Sequence, residues 1–116
     1  MKKFTQNQLN AVANENYLDV EGFKHPGAFT FNLNCRVAKV NAICEWIGDN
    51  LKSTQTITSA HSYSLKHVCE KEVTIDHGWV GNGEFIAAAI LMGYKFKRNG
   101  RLNCYFNISL SSITIN

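Results

Sequence analysis

The spacing of apolar residues between Asn34 and Leu51 predicts the longest helix of the chain. Apolar side chains recur there at intervals of three and four positions, namely Val37, Val40, Cys44, Ile47 and Leu51. This period places them on one face of a helix that Asn34 would cap. The same spacing predicts a shorter helix after the capping residue Thr5, with Leu9, Val12 and Ala13 on its inner side.

A third amphipathic helix is predicted after Ser62 or Ser64, either of which could cap it, and it should end near Thr74. Its inner face comprises Leu65, Val68, Cys69 and Val73, whereas Lys66, Glu70 and Lys71 are predicted to point outward. This helix resembles the longer one in being polar on one side only.

The fourth predicted helix, Asn82 to Met92, has a different character. Asn82 is a favoured N-cap, and Glu84 suits the positive end of a helix. Apolar residues cover most of the circumference, namely Phe85, Ile86, Ala89, Ile90 and Met92. A helix that is apolar nearly all round is typically buried, and Gly93 is expected to end it.

Two stretches alternate with the period of a strand. Ala28 to Leu33 places Phe29, Phe31 and Leu33 between polar residues, which predicts a half-buried strand. The alternation returns on both sides of Asn99-Gly100, which predicts a β-hairpin. The tail, Ser109 to Asn116, keeps a broken alternation that could extend this strand or add another.

The register of the hairpin can be predicted from its apolar face. A two-residue turn at Asn99-Gly100 would pair Phe96 with Asn103, so we expect a three-residue loop, Asn99 to Arg101, that pairs Phe96 with Cys104. One face then carries Tyr94, Phe96, Cys104, Phe106 and Ile108, and the other carries Lys95, Lys97, Asn103 and Tyr105. The apolar face would close over the fourth helix, and the lysines would meet solvent.

These elements predict a small single α+β domain spanning residues 1–116, with three to four helices and an antiparallel sheet that includes the C-terminal hairpin. The length of 116 residues suits one domain. No apolar run approaches the ~20 residues needed to cross a bilayer, and the N-terminal residues lack the pattern of a secretion signal. We therefore expect a cytosolic protein with no membrane partner.

The candidate chemical groups do not form a catalytic or metal-binding pattern. The four cysteines fall in no Cys-x-x-Cys pair and are expected to be reduced, buried hydrophobes. The histidines lack the spacing of a helical zinc site. Two weaker alternatives are a Cys69–His77 nucleophile pair and a phosphate site at Gly78, Gly81 and Gly83. The sequence thus predicts no enzyme, no metal and no cofactor.

Charge is distributed unevenly along the chain. Residues 1–86 carry eight Lys and Arg against nine Asp and Glu, whereas residues 87–116 carry four Lys and Arg and no acid. All four of these cations lie between Lys95 and Arg101, so the hairpin is predicted to form a basic surface. Such a surface favours nucleic acid as a partner.

The order of helix, helix and basic hairpin is that of a winged helix-turn-helix, with the fourth helix in the recognition position. Because Phe85 to Met92 contains no basic residue, we expect contacts to come from the hairpin instead. The predicted binding residues are Lys95, Lys97, Arg98, Arg101 and Tyr105, with Lys66 and His67 nearby. The alternative is an ordinary solvated hairpin whose lysines discourage edge-to-edge pairing.

The two tryptophans also allow two interpretations. Both Trp46 and Trp79 could pack in or beside the core. An exposed tryptophan could instead anchor a protein partner, and Trp79, in a glycine-containing loop, is the better candidate for that role.

Four segments of the second half carry a resemblance to known proteins. They are Ser62-Tyr-Ser-Leu-Lys-His67 with Glu70, Val80-Gly-Asn-Gly-Glu-Phe-Ile-Ala-Ala-Ala89, Gly93-Tyr94, and Asn103-Cys-Tyr-Phe-Asn-Ile108. Together they resemble small accessory proteins encoded by bacteriophages and other bacterial mobile elements. The resemblance covers residues 60–109, implies the bacterial cytoplasm and carries no catalytic residues. It also implies a second class of function, because such proteins often block host defence systems, as anti-CRISPR proteins do.

The sequence therefore supports two hypotheses. The first is a non-enzymatic accessory protein that binds nucleic acid through the basic hairpin. The second is a protein–protein inhibitor of a bacterial defence system, acting on a nucleic-acid-binding complex.

Overall fold

The computed structural model describes residues 3–73 and 79–113, and these residues form the predicted α+β fold. The helices are α1 (Gln6–Asn16), α2 (Val37–Asn50), α3 (Ser62–Glu70) and α4 (Asn82–Leu91). The strands are β1 (Leu18–Asp19), β2 (Gly22–Phe23), β3 (Ala60–His61), β4 (Phe96–Asn99) and β5 (Asn103–Phe106). Antiparallel sheets and the C-terminal β-hairpin are as predicted.

Helix α1 begins with the predicted cap. The Oγ1 atom of Thr5 accepts a hydrogen bond from the Gln8 backbone N–H at 3.2 Å, and the Gln8 side chain accepts one from the Thr5 N–H at 2.8 Å. This reciprocal arrangement satisfies two backbone donors that a helix start leaves free. Leu9 and Ala13 are buried, so the inner face of the helix is confirmed.

The predicted caps of α2, α3 and α4 are wrong; in α4 the cap position belongs to Gly81, and Asn82 is the first helical residue. Helix α2 begins after Arg36, which makes no capping hydrogen bond, and Asn34 lies in a turn before it. Helix α3 is capped by His61, whose Nδ1 accepts a hydrogen bond from the Tyr63 backbone N–H at 3.3 Å. Serine was expected because its hydroxyl is the commoner cap, but any side-chain acceptor at this position can serve. Helix α3 ends at Glu70, and Thr74 lies outside the described residues.

The predicted burial of α4 is confirmed and has a consequence for function. Every residue from 81 to 89 is buried, because the helix is enclosed by α1, α2, α3 and the β1–β2 hairpin. Gly93 follows the helix with a left-handed φ of 90°. A recognition helix of a winged helix-turn-helix must present side chains to DNA, and α4 has no exposed face along this stretch. The order of elements fits that comparison, whereas the accessibility of α4 does not.

The β1–β2 hairpin packs directly on the start of α4. The Gly83 backbone N–H donates to the Val20 carbonyl at 2.9 Å, and a Cβ atom at position 83 would overlap the carbonyl oxygen of Asp19. Glycine is therefore required here for close approach of two backbones.

The strand predicted at Ala28–Leu33 is absent. The segment begins in a turn at Ala28 and alternates in exposure, with Leu33 buried and Asn32 exposed, but no strand among the described residues pairs with it. The Asn32 side chain instead accepts a hydrogen bond from the Val20 N–H at 2.8 Å. Alternating apolar and polar residues indicate a segment with one buried side. A strand also needs a neighbouring strand with which it forms hydrogen bonds.

The larger sheet has the strand order β3–β5–β4, so the last strand is the central one. In the C-terminal hairpin, Phe96 pairs with Phe106 and Asn99 pairs with Asn103. The loop is therefore 100–102 and not the predicted 99–101, and Gly100 takes a left-handed φ of 70°. The register differs from the prediction by two residues, which keeps each side chain of β5 on its predicted face.

The predicted tail strand is also wrong in its described part, because Leu110–Ser112 forms a single 3-10 turn. The remaining residues, 114–116, lie outside the described residues. None of the described helices has the length and apolar character that crossing a bilayer demands.

Candidate nucleic-acid interface

The outer face of the three-stranded sheet carries a row of chemically useful side chains. Strand β3 contributes His61, β5 contributes Tyr105 and β4 contributes Lys97, and the register places all three side by side. The next row, Ala60, Phe106 and Phe96, faces the core because side chains alternate along a strand. The outward row is thus fixed by the burial of the inward one.

Aromatic and imidazole rings extend this row onto α3. The rings of His61 and Tyr105 lie edge to face with their centres 5.3 Å apart, and those of Tyr63 and His67 lie 4.5 Å apart. The two pairs are joined because the cap of α3 ties the His61 ring to the Tyr63 backbone. We call these four residues the ring surface. All are partly or fully exposed, and Tyr63 has 49% of its surface accessible.

Two of the predicted cations flank the ring surface. Lys97 is exposed on the outer face of β4, and Lys95, which is also exposed, comes directly before that strand. In the parts of the chain that the structure covers, neither lies within ion-pair distance of a carboxylate. The outer face of the sheet therefore combines rings with unpaired positive charge.

Lys66 occupies a different environment from the one predicted. Its side chain is buried, with the ammonium 3.4 Å from the Glu70 carboxylate and 5.2 Å from the centre of the Tyr63 ring. Glutamate four residues along a helix is well placed to pair with lysine. Lys66 thus packs against Tyr63 of the ring surface, and its charge is paired with Glu70 and not available to a ligand.

Glu70 links α3 to the chain that enters α4. Its carboxylate accepts a hydrogen bond from the Val80 N–H at 3.0 Å and lies 3.0 Å from the Nδ1 atom of His67. Burial alone would raise the pKa of Glu70, but the Val80 hydrogen bond and the charges of Lys66 and protonated His67 together lower the pKa below its usual 4.5.

The four hairpin cations do not form one surface, contrary to the prediction. Arg98 lies on the opposite side of β4 from Lys97, with its guanidinium carbon 4.7 Å from the centre of the Phe23 ring. Arg98 and Arg101 both line a cleft between the hairpin tip and residues 23–28. The residue alternation of a strand separates Arg98 from its neighbour Lys97, so charges that are close in sequence lie on two sides of the hairpin.

Trp79 lies neither on the outer face of the sheet nor in the cleft at the hairpin tip. Its ring is 46% exposed and packs on α2, with the Lys39 ammonium 4.3 Å and the Arg36 guanidinium 6.0 Å from the ring centre. Lys39 is itself buried and lies 3.1 Å from the Glu84 Oε1 atom, without the alignment of a hydrogen bond. Trp79 therefore covers a buried ion pair. Trp46, the other tryptophan, is buried against Phe85.

Three of the four thiols offer little nucleophilic character, and the prediction that all four cysteines are buried is wrong for Cys35. Burial raises the pKa of Cys44, Cys69 and Cys104 to about 12 in each case, so these residues are protonated at neutral pH. Cys35 is exposed. The proposed partner of Cys69, His77, and the first glycine of the suggested phosphate site, Gly78, lie outside the described residues. Within residues 3–73 and 79–113, no three His, Cys, Asp or Glu side chains are grouped as a metal site would require.

Sequence reasoning placed His67 near the basic hairpin but missed His61 and Tyr63 as members of a site. The only usable signal was local: His61 and Tyr63 flank the start of a predicted helix, and His67 lies four residues after Tyr63, on the same helical face. No local signal could place His61 next to Tyr105, because these residues meet through the pairing of β3 with β5.

Comparison with protein-family models, with curated proteins and with solved structures gives no match for this chain. The resemblance of residues 60–109 to phage accessory proteins stays a prediction.

Proposed function

We propose that the protein binds single-stranded nucleic acid on the outer face of its three-stranded sheet. The observation that carries this proposal is the cross-strand row of His61, Tyr105 and Lys97. Proteins that bind single strands combine aromatic side chains, on which bases stack, with cations that follow the backbone. The ring surface and the two adjacent lysines provide both components.

A single strand is preferred over a duplex because the two are bound by different kinds of surface. Duplex reading requires a helix or ribbon that enters a groove, and α4, the helix in the corresponding position, is buried. Rings on a sheet face can stack on unpaired bases but cannot reach bases inside a duplex. A single strand lying along Tyr105 and Tyr63 would bring its phosphates toward Lys95 and Lys97.

The expected energetics are modest and partly independent of salt. Each base stacked on an aromatic side chain contributes about 1–3 kcal/mol. Two lysine–phosphate contacts on a single strand predict that the logarithm of the association constant falls with log salt at a slope of about −1.4. Stacking contributes affinity that persists when salt is raised.

The test is fluorescence anisotropy with a labelled oligothymidylate or oligouridylate that carries a 5′-hydroxyl, over a series of salt concentrations. We expect Tyr105→Ala to weaken binding by roughly 5- to 100-fold, as loss of one stacked base requires. The double change Lys95→Glu and Lys97→Glu should also weaken binding and should abolish the salt dependence. Lys3→Glu, an exposed lysine ahead of α1, makes the same kind of charge change elsewhere and is the matched control.

Unchanged affinity in both the Tyr105 and the lysine variants would end this proposal. Circular dichroism of each variant checks that the fold persists. Equal losses in the Lys3→Glu control would point to general charge attraction instead of a site.

A protein partner is the second candidate, and the exposed aromatic side chains favour it. Tyr63 and Trp79 expose 49% and 46% of their surface, and exposed aromatic residues are typical anchors of protein interfaces. In the bacterial cytoplasm, the setting that the phage resemblance implies, such a partner could be a nucleic-acid-binding complex of a host defence system. Binding to it should depend less on salt than nucleic-acid binding does, and Trp79→Ala should weaken it.

A further inference from the structure

A cleft of about 670 Å³ lies between the tip of the C-terminal hairpin and the segment after β2. Its walls include the apolar residues Phe23 and Leu102, and its polar lining consists of Lys24, His25, Arg98 and Arg101. The two sides are fixed to each other, because the Phe23 N–H donates to the Leu102 carbonyl at 3.1 Å. The size is within the range of small-molecule sites, which is roughly 300–1,000 Å³.

The charge lining this cleft is positive and only partly compensated. Lys24 is paired with Glu21 at 3.0 Å and with Asp19 at 3.8 Å. Arg98 and Arg101 have no carboxylate within 4.0 Å among the residues that the structure covers, and no acidic residue lines the cleft. Two guanidinium charges therefore face a space that could accept an anion of charge close to −2.

Two of the donors are already held in position. The Arg98 guanidinium is held over the Phe23 ring, which in turn stacks on Phe96 with ring centres 5.4 Å apart. The His25 Nδ1 atom accepts a hydrogen bond from the Gly27 N–H at 3.1 Å, so in the neutral ring the proton is on Nε2. Fixed donors lose less conformational freedom when a ligand binds, which favours affinity.

From this arrangement we propose that the cleft binds a phosphomonoester attached to a nucleoside. A phosphomonoester carries a charge of about −1.5 to −2 at pH 7, which matches the two unpaired arginines, whereas a carboxylate would neutralise only one. Arginine binds phosphate oxygens through paired N–H groups. The accessible apolar residues of the lining, Pro26, Ala28 and Leu102, suit the nucleoside part.

The ligand could be a free nucleoside monophosphate or the 5′-phosphorylated end of a nucleic-acid strand. The second source rests on the proposed function, since the rest of the strand would lie on the sheet. The cleft is lined by Arg98, on the opposite side of β4 from Lys97, so a strand that reaches it must pass around the hairpin.

The experiment is isothermal titration of the protein with adenosine monophosphate and with adenosine, alongside anisotropy with 5′-phosphorylated and 5′-hydroxyl oligonucleotides. We expect adenosine monophosphate to bind at least ten times more tightly than adenosine. Arg101→Gln, at the exposed tip of the loop, should lower that affinity at least five-fold and leave binding of the 5′-hydroxyl oligonucleotide unchanged. Arg98→Gln should act in the same direction, and Lys3→Gln, at an exposed position ahead of α1, is the matched control.

The outcomes separate the two proposals. Adenosine monophosphate bound no better than adenosine, together with equal affinity for the two oligonucleotides, would overturn the cleft proposal whatever the sheet does. A preference for the 5′-phosphorylated strand that Arg101→Gln removes supports the strand end as ligand. Tight adenosine monophosphate binding without that preference supports the free nucleotide. The sheet proposal would fail instead if the unaltered protein did not bind the 5′-hydroxyl oligonucleotide at all.

Discussion

The Lys39 ammonium lies 3.1 Å from the Glu84 carboxylate, and both side chains are closed off from solvent, with 2% and 0% of their surface exposed. Glu84 also accepts a hydrogen bond from the Gly81 N–H at 2.7 Å and pairs with Arg36 at 3.1 Å. This carboxylate thus joins α2 to the start of α4, and Trp79 covers the pair from outside.

Replacing Glu84→Gln should destabilise the protein by about 3–5 kcal/mol, because it leaves the Lys39 charge buried without its partner. The measurement is the free energy of unfolding in urea. The double variant Lys39→Met with Glu84→Gln removes both charges and should be more stable than the single variant. A single variant as stable as the unaltered protein would show that the pair contributes little.

Gly83→Ala should destabilise the fold by about 1–3 kcal/mol or more, since its methyl group would overlap the Asp19 carbonyl. Gly48→Ala, on the exposed side of α2, is the matched change with the opposite expected sign. The added methyl group there meets only the Met92 side chain at 3.4 Å, and alanine favours helix over glycine by about 0.5–1 kcal/mol. Thermal unfolding of both variants gives the comparison, and a stabilising Gly83→Ala would contradict the backbone contact.

Acid should weaken the tie between α3 and the start of α4. The pKa of Glu70 is lowered in the folded protein, so its carboxylate stabilises the fold above the unfolded pKa near 4.5 and loses this effect as pH falls through the folded value. We expect the difference in unfolding free energy between the unaltered protein and Glu70→Gln to be largest at neutral pH and to shrink below pH 4.5. Urea unfolding at several pH values measures it.

A matched control for the acid prediction is Glu72→Gln, which removes an equal charge two residues further on, at an exposed position. The same pH profile in both variants would show that general charge, and not the contacts of Glu70, is responsible.

The four thiols should react at very different rates. Cys35 is exposed, whereas burial raises the pKa of the other three to about 12 and closes them to reagents. Mass spectrometry after brief treatment with a maleimide at pH 7 should therefore find one label per chain in the native protein and four in guanidinium chloride. A second label acquired at the rate of the first would place another cysteine at the surface.

Residue pattern predicted the elements whose signal is local. The all-round apolar character of Phe85 to Ile90 predicted a buried helix, and the alternation on both sides of Asn99-Gly100 predicted the hairpin and its two faces. These features depend on residues close in sequence, so the residue pattern is sufficient to predict the type of element and its buried face.

Features that depend on distant partners could not be predicted in this way. Ala28 to Leu33 alternates as a strand does, but β1, which precedes it in the chain, pairs with β2 instead. Lys66 was predicted to be exposed because the pattern does not show that Glu70 and Tyr63 enclose it. The cleft depends on contact between Phe23 and Leu102, which no local pattern indicates.

The central position of β5 also constrains how the chain can fold while it is being synthesised. Helix α3 and strand β3 leave the ribosome before the strand that must separate β3 from β4 exists, so the sheet cannot assemble progressively from one edge. Until Asn103–Phe106 emerges, the inner side of α4 lacks the Phe106 ring, whose centre lies 6.1 Å from that of Phe85. A nascent chain stalled before this strand should expose apolar surface and attract chaperones.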